Sequence, residues 1–253
     1  MRDGKKKKVS FIIRTRNEAH NLRVLFPLLR AQTEQDFEII VVDNESSDDT
    51  KTLAESFGAR IVSVSYAAFS YPYASNRGCE AAEGEYLVFL SAHSFPLSRS
   101  WLAKGLRHFT DSSLCGAYGP TLAYRDSALV EKLFHIQNGI AWTFRAFLKP
   151  RRITHGGMGV MGLTNAIIPK RLWDMHRFDE AWGAGGEDGA WAGYFFEKGY
   201  AAIWDPALSV RHAHRLTTRA GLKDQFLAWS RMTEPRPFSR KDLAFRPDNN
   251  RLS

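Results

Sequence analysis

Through the first ninety residues, short unbroken apolar runs alternate with longer stretches whose apolar positions recur at helical spacing. Val9-Ser10-Phe11-Ile12-Ile13 follows a charged lead and predicts a buried strand. Residues 18–32 carry Leu22, Leu25, Phe26, Leu28 and Leu29 near helical spacing, which predicts a helix despite Pro27. Phe37 to Val42 predicts a second buried strand. Ser46 to Thr50 then supplies a cap and first-turn acids for a helix that Gly58 stops. Arg60 to Val64 predicts a third strand, residues 73–83 a helix ended by Gly84, and Glu85 to Leu90 a fourth strand.

Strands alternating with helices predict an α/β fold with a mainly parallel sheet and crossover helices. The strand runs are continuously apolar, as expected when both faces of a sheet are covered. Ligands in such sheets sit beyond the carboxyl ends of the strands. That rule singles out the loops 14–18, 43–49 and 91–96, all polar. Beyond residue 97 the pattern loosens. It predicts a helix at 98–109, a strand at 114–124, and mixed, aromatic, mainly helical chain at 125–148. The stretch 149–163 is basic and then glycine-rich, with the composition of a mobile loop. A helix at 187–199, one bent or two short strands at 201–211 and a terminal helix at 217–231 complete the reading.

Composition narrows this picture. The chain of 253 residues is 44% hydrophobic and 25% charged, an ordinary globular balance. Cys79 and Cys115 are too few for a disulfide framework or a cysteine zinc site, and suit buried thiols in a reducing compartment. The net charge of +8 is unevenly placed. Residues 1–8 hold five basic and one acidic side chain, residues 231–253 six and three, and residues 9–230 hold 24 and 23. A nucleic-acid enzyme carries its excess on a folded face. Basic ends fit an anionic membrane surface instead. No segment reaches the roughly 18 consecutive apolar residues of a membrane helix. The apolar patch after the N-terminal lysines is too short for a signal peptide. The expectation is a cytoplasmic protein at the inner face of the membrane, with no nucleic-acid partner.

The two common nucleotide cradles of α/β proteins are absent. Arg14-Thr15-Arg16-Asn17 stands where a G-x-G-x-x-G would follow the first strand, and no G-x-x-x-x-G-K-[ST] occurs. Gly183 to Gly186 is glycine-rich but precedes the acidic pair Glu187-Asp188, which would repel a phosphate.

Six segments in order resemble the family 2 glycosyltransferases of GT-A fold. They are VSFIIRTRNEAHNL (9–22), FEIIVVDNESSDDT (37–50), ASNRGCEAAEGEYLVFLSAH (74–93), GLTNAIIPKRLW (162–173), GGEDGAWAGYFFEKGY (185–200) and VRHAHRLT (210–217). The IRTRNE start, the SAH triplet and the HxH end are similar to a bacterial rhamnosyltransferase-like subgroup. The resemblance implies a Rossmann-like nucleotide-binding sheet with helices on both faces, fused to a smaller acceptor-binding part. It divides the chain into a basic lead (1–8), a nucleotide-sugar half (9–97), an acceptor and catalytic half (98–216) and a terminal helix with a basic tail (217–253). The implied reaction moves a sugar, with inversion, from a nucleotide-diphosphate sugar to a hydroxyl of a glycan or lipid-linked acceptor.

Such a reaction needs a base pocket, a way to neutralise a departing diphosphate, and a group that takes the acceptor proton. The resemblance assigns the base pocket to Asp43, whose carboxylate can accept from a pyrimidine N–H, with Thr15 and Glu18 beside it. Asp48 and Asp49 read as helix-capping acids. Asp188 is implied as the catalytic base and Glu187 as its orienting partner. Both lie in the first turn of a predicted helix, where the dipole keeps carboxylates ionised, behind Trp182 and a glycine-rich stretch suited to a sugar acceptor. Asn165 is implied as a donor contact. Arg77 can reach a phosphate or stay solvated.

On the diphosphate side the chain departs from the family. Ser91-Ala92-His93 replaces the Asp-x-Asp triplet that holds a divalent cation. His93 with His212 or His214 could hold Mn²⁺, less readily Mg²⁺, which prefers oxygen ligands. Alternatively, His93 and an arginine such as Arg77 or Arg211 stabilise the diphosphate without metal. Two rival classes remain. A sugar-nucleotide nucleotidyltransferase would carry a glycine-rich signature that Arg14 to Asn17 lack. A degenerate, non-catalytic nucleotide-sugar-binding protein would account for the missing aspartates but not for Glu187-Asp188.

Overall fold

A computed structural model describes residues 8–157, 159–212, 227 and 232–238. In chain order the elements are β1 (Val9–Thr15), α1 (Ala19–Arg30), β2 (Phe37–Asp43), α2 (Thr50–Ser56), β3 (Arg60–Ser63), α3 (Tyr71–Ala81), β4 (Tyr86–Ser91), β5 (Phe95–Pro96), α4 (Trp101–Arg107), β6 (Leu114–Tyr118) and β7 (Thr121–Leu122). They continue with α5 (Leu129–Phe134), α6 (Ile136–Thr143), β8 (Arg151–Ile153), β9 (Asn165–Pro169), α7 (Lys170–Met175), α8 (Glu187–Glu197), β10 (Ala201–Trp204) and β11 (Val210–Arg211). Short 3-10 turns cover His108–Thr110, Glu180–Trp182 and Pro206–Leu208.

Eight strands form one sheet in the order β3-β2-β1-β4-β9-β6-β10-β8. The first four are mutually parallel, with Thr15 level with Asp43 and Arg14 level with Ser91. Strand β9 runs antiparallel between β4 and β6, so both halves of the chain meet in one sheet. A second sheet, β5-β11-β7, sits beside the carboxyl end of β4.

The continuous apolar runs have the predicted cause. In β1 the side chain of Ile12 enters the core on one face, while Phe11 and Ile13 enter the core on the other. Strand β4 divides in the same way, Leu87 and Phe89 against Val88 and Leu90. Helix α1 covers the second face with Leu22, Leu25, Phe26 and Leu29, each fully buried. Each such side chain stabilises the fold by about 1.5–3 kcal/mol. Pro27 is tolerated because it lies on the exposed side of α1, where water can satisfy the freed carbonyl. On the first face α3 crosses β1 so closely that a Cβ on Gly78 would stand 2.5 Å from Ile12 Cγ2.

Three expectations need revision. The run 114–124 is not one strand: it breaks at Gly119-Pro120 into β6 and β7, since proline cannot donate to the ladder. The stretch 149–163 is only partly a loop, because Arg151–Ile153 pair with β10 as an edge strand. Arg152 is tied to Asp111 at 2.8 Å, and Arg151 lies over the Trp204 ring at 4.1 Å. Strand β9, read from sequence only as the neighbourhood of Asn165, is fully buried and central. The predicted helix at 217–231 and the basic stretches 1–7 and 239–253 lie outside the described residues, apart from Leu227.

Candidate active site

Because β1, β2 and β4 run parallel in register, the loops 14–18, 43–49 and 91–96 leave the sheet at one edge. Hydrogen bonds stitch the first two together. Asn17, in the left-handed region at φ 53°, donates from its backbone N to Ser46 Oγ at 2.9 Å, and its side-chain oxygen accepts from Ser47 N at 2.8 Å. Asparagine tolerates that conformation better than most residues. Asp48 accepts from Thr50 N in its own loop at 3.0 Å and from Ala19 N at the head of α1 at 3.1 Å. The predicted capping acid thus serves two helices. Asp43 closes β2 and is buried, with Oδ2 accepting from Ser46 N at 3.1 Å and Oδ1 from the Thr15 hydroxyl at 3.4 Å. The structure therefore brings Thr15 to Asp43.

Glu18 does a different job. Its Oε1 lies 3.1 Å from His93 Nδ1 and its Oε2 accepts from Asn21 Nδ2 at 2.6 Å. The His93 carbonyl accepts from the Tyr124 hydroxyl. The His93 ring stacks on His212, with centroids 4.9 Å apart and planes 23° off parallel. Glu18, His93, His212 and Tyr124 make one polar unit at the carboxyl end of β4. His214 lies outside the described residues.

Helix α8 begins at Gly186, which takes φ 98°. A Cβ there would stand 2.4 Å from the Met232 carbonyl oxygen and 2.8 Å from the Trp182 ring. Only glycine fits that turn, and the turn delivers Glu187 and Asp188 in the first helical turn. Asp188 Oδ2 accepts from Leu163 N at 3.1 Å and Oδ1 from Gly189 N at 2.7 Å. Glu187 is 3% exposed, with Oε1 3.4 Å from Arg14 Nη1. The same Arg14 nitrogen donates to the Tyr71 carbonyl and to Ser75 Oγ, each at 3.1 Å. Burial and the adjacent Asp188 carboxylate push Glu187 up to about 7, against the pull of Arg14. Burial also raises Asp188, opposed by the N–H groups of Gly189 and Leu163 and by Arg14. The two carboxyls titrate as a pair. Carboxyls raised by burial are stronger bases than free ones and suit proton acceptance.

Two expected donor contacts, Arg77 and Asn165, have partners within the protein, and Asn165 lies level with Leu90 at the carboxyl end of β4. Arg77 pairs with Glu80 on α3 and lies 5.3 Å from the Tyr73 ring centroid, away from the carboxyl-end loops. Asn165 is buried and donates through Nδ2 to the carbonyls of Gly119 at 3.0 Å and Leu208 at 2.7 Å, which locks β9 to the chain after β6. The sequence marks Arg14 only as part of the polar loop 14–18 and gives it no role. Its signal is position: the arginine is the penultimate residue of an otherwise buried strand.

Among the described residues, His93 and His212 at the expected metal position do not converge on a common point. Among the described residues no three His, Cys, Asp or Glu side chains converge to hold an ion. The only carboxylate shown beside His93, that of Glu18, has both oxygens engaged, and the two imidazoles stack instead of converging.

A family model described as "Glycosyl transferase family 2" matches residues 10–173. The O-antigen chain rhamnosyltransferase WbaN of Salmonella anatum is 24% identical over 208 residues, which cover 79% of this chain and 64% of the relative. The chain thus spans somewhat less than two thirds of that relative's length. Glycosyltransferase AglE of Haloferax volcanii is 34% identical over 105 residues, 39% of this chain and 34% of its own. Among solved structures, mannosyltransferase PcManGT from Pyrobaculum calidifontis, in complex with GDP-Man and Mn²⁺, superposes with a TM-score of 0.60 at 19% identity, covering 92% of this chain and 67% of that one. A TarS fragment from S. aureus superposes with a TM-score of 0.57 at 16% identity, over 89% and 64%. The fold is that of the GT-A glycosyltransferases, and the chain belongs to glycosyl transferase family 2.

Proposed function

We propose that the chain moves a sugar, with inversion, from a nucleoside-diphosphate sugar to a hydroxyl of a glycan or lipid-linked acceptor. The observation that carries this is the acid pair at the head of α8, anchored by Arg14 from the end of β1. In the proposed step the acceptor oxygen attacks the anomeric carbon. The bond from that carbon to the diphosphate oxygen breaks, its electron pair leaves with the diphosphate, and the hydroxyl proton passes to Asp188. Each Asp188 oxygen accepts one backbone N–H and keeps a lone pair for this proton. Glu187 and Arg14 set the charge around it. Asp43 and Thr15 hold the nucleobase, and His93, His212 and Arg211 face the diphosphate.

The named relative that covers most of the chain is a rhamnosyltransferase, which supports a deoxyhexose donor such as a dTDP-sugar. No step is routed through a metal ion, given the donor set of the described residues. The test is thermal shift of the chain with dTDP-, UDP- and GDP-sugars, followed by NMR of the products from the best donor. Stabilisation by one nucleotide class with release of its diphosphate is expected. No shift with any nucleotide refutes the proposal.

A further inference from the structure

Helices α5 and α6 are built the wrong way round for a soluble protein. Leu129, Leu133, Ile136, Ile140, Phe144 and Phe147 recur at spacings of three and four, the pattern of one helical face. All six are exposed, from 52% for Ile136 to 85% for Phe147. The polar side of the pair faces the protein: His135 Nδ1 lies 3.0 Å from the Thr121 carbonyl, and Asn138 Nδ2 donates to the same oxygen at 2.9 Å. A helix that buries its polar side and shows its apolar side to water needs a partner.

The surrounding charge says which partner. Residues 125–152 hold six basic and two acidic side chains, in a body that is otherwise close to neutral, and Glu131, one of the two acids, is buried. Arg125, Lys132, Arg145 and Lys149 are exposed beside the stripe. Arg145 lies 3.7 Å over the half-buried Trp142, a cation and indole side by side. A second copy of this chain would bring the same cations face to face. The tail 239–253, with four basic and two acidic residues, would also meet like charge. Apolar and aromatic side chains on one face with lysine and arginine at its margin match the boundary of an anionic bilayer. No helix among the described residues is long and apolar enough to cross a membrane.

We infer that the α5–α6 face docks on an anionic lipid bilayer, with the stripe at the acyl boundary and the flanking cations at the phosphates. A groove of about 590 Å³ then opens at the membrane surface. Its lining includes Ile136, Ile140 and Phe144 together with Tyr124 and Arg211. Tyr124 bonds the His93 carbonyl, so the groove leads from the bilayer to the candidate site. The docking face stands without the transferase reading, and its test uses neither donor nor acceptor.

The experiment is co-sedimentation of the full chain with phosphatidylcholine vesicles, with and without phosphatidylglycerol, at low and high salt. Expected is binding to the anionic vesicles, weakened by salt, that Ile140→Glu with Phe144→Glu reduces at least about tenfold. These positions are exposed, so the melting temperature should hold. If that pair lowers it, Ile140→Ser with Phe144→Ser replaces it and should show the same loss. Absence of wild-type binding to anionic vesicles overturns the inference. Unchanged binding by the substituted chain also overturns it, because the basic termini, constant throughout, would then carry the contact. A wild-type dimer that the same substitutions dissociate assigns the face to a second copy and overturns it as well.

Discussion

Arg14→Met isolates the electrostatics of the acid pair. The substitution keeps an apolar stem at the end of β1 and removes the guanidinium that lies 3.4 Å from Glu187. Arg14 pulls both carboxyls down, against burial and their mutual repulsion. A cation at such range lowers a carboxyl pKa by about 1–3. The lower end applies, because Arg14 is shared with the Tyr71 carbonyl and Ser75. Glu187, at about 7 with Arg14 present, then rises to about 8, or ~1.4 kcal/mol in its protonation equilibrium, and Asp188 moves in the same direction. At pH 7 the ionised fraction of Glu187 falls from about a half to about a tenth, and Asp188, raised with it, is less ionised too, so kcat/KM at pH 7 should drop and recover in alkali.

The assay is a pH profile of donor turnover for both proteins, paired with melting curves over the same range. The two readouts move in opposite directions. A carboxyl whose folded pKa is raised above its unfolded value adds stability that is complete below the unfolded pKa and disappears as pH rises through the folded one. Wild type should therefore lose this stability up to about pH 7, while Arg14→Met goes on losing it at higher pH. Alkali should restore activity to the variant and widen its deficit in melting temperature. An acid limb that stays where it was, or a loss of activity that alkali does not relieve, refutes the assignment of Arg14.

Asp188→Asn should lower turnover by about 10²–10⁴-fold while donor affinity by calorimetry stays close to wild type; lost nucleotide binding would show that Asp188 supports the pocket instead. Gly186→Ala forces a side chain into φ 98° and toward the Met232 carbonyl, which should cost about 1–3 kcal/mol in urea unfolding; an unchanged midpoint would contradict the left-handed start of α8. EDTA should leave donor binding intact, because the described donors do not converge on an ion, and binding that is lost and then restored by Mn²⁺ would show a cation held there. Asp43→Ala should weaken donor binding and, by stripping Ser46 N and the Thr15 hydroxyl of their acceptor, cost about 1–3 kcal/mol in stability; equal affinity would move the base pocket elsewhere.

The first half of the chain is legible because its strands are buried on both faces, and that leaves apolar runs at Val9, Phe37 and Tyr86 that no helix period explains. The second half was harder for a physical reason. Strand β9 ends in Pro169, which reads as a breaker, yet here it closes a central strand just before α7. Strand β8 opens with two arginines, which read as loop, yet stacking on Trp204 and pairing with Asp111 hold them at a sheet edge. Glu187, Asp188, Asp43 and Thr15 stand out in the sequence because their surroundings are local: a strand end and a helix start. Arg14 with Glu187 is a contact across 173 positions, and Glu18 with His93 across 75. No periodicity reports either one.

Those distant contacts change what the altered triplet means. Two aspartates at the end of β4 would set two negative charges against a diphosphate, and a cation would have to neutralise both. Ser91-Ala92-His93 removes both charges at once. The one nearby carboxylate that the structure shows, Glu18, is turned away into His93 and Asn21. In the proposed arrangement a stacked imidazole pair faces the ligand, with Arg211 at the end of β11 just before His212. The electrostatic need for a bridging ion is therefore smaller in this chain than in one with the acidic triplet. His93→Asp, which returns one negative charge, should weaken donor binding in the presence of EDTA and make it respond to Mn²⁺, where the wild type does not. If both proteins respond to Mn²⁺ alike, the triplet does not govern metal dependence in this chain.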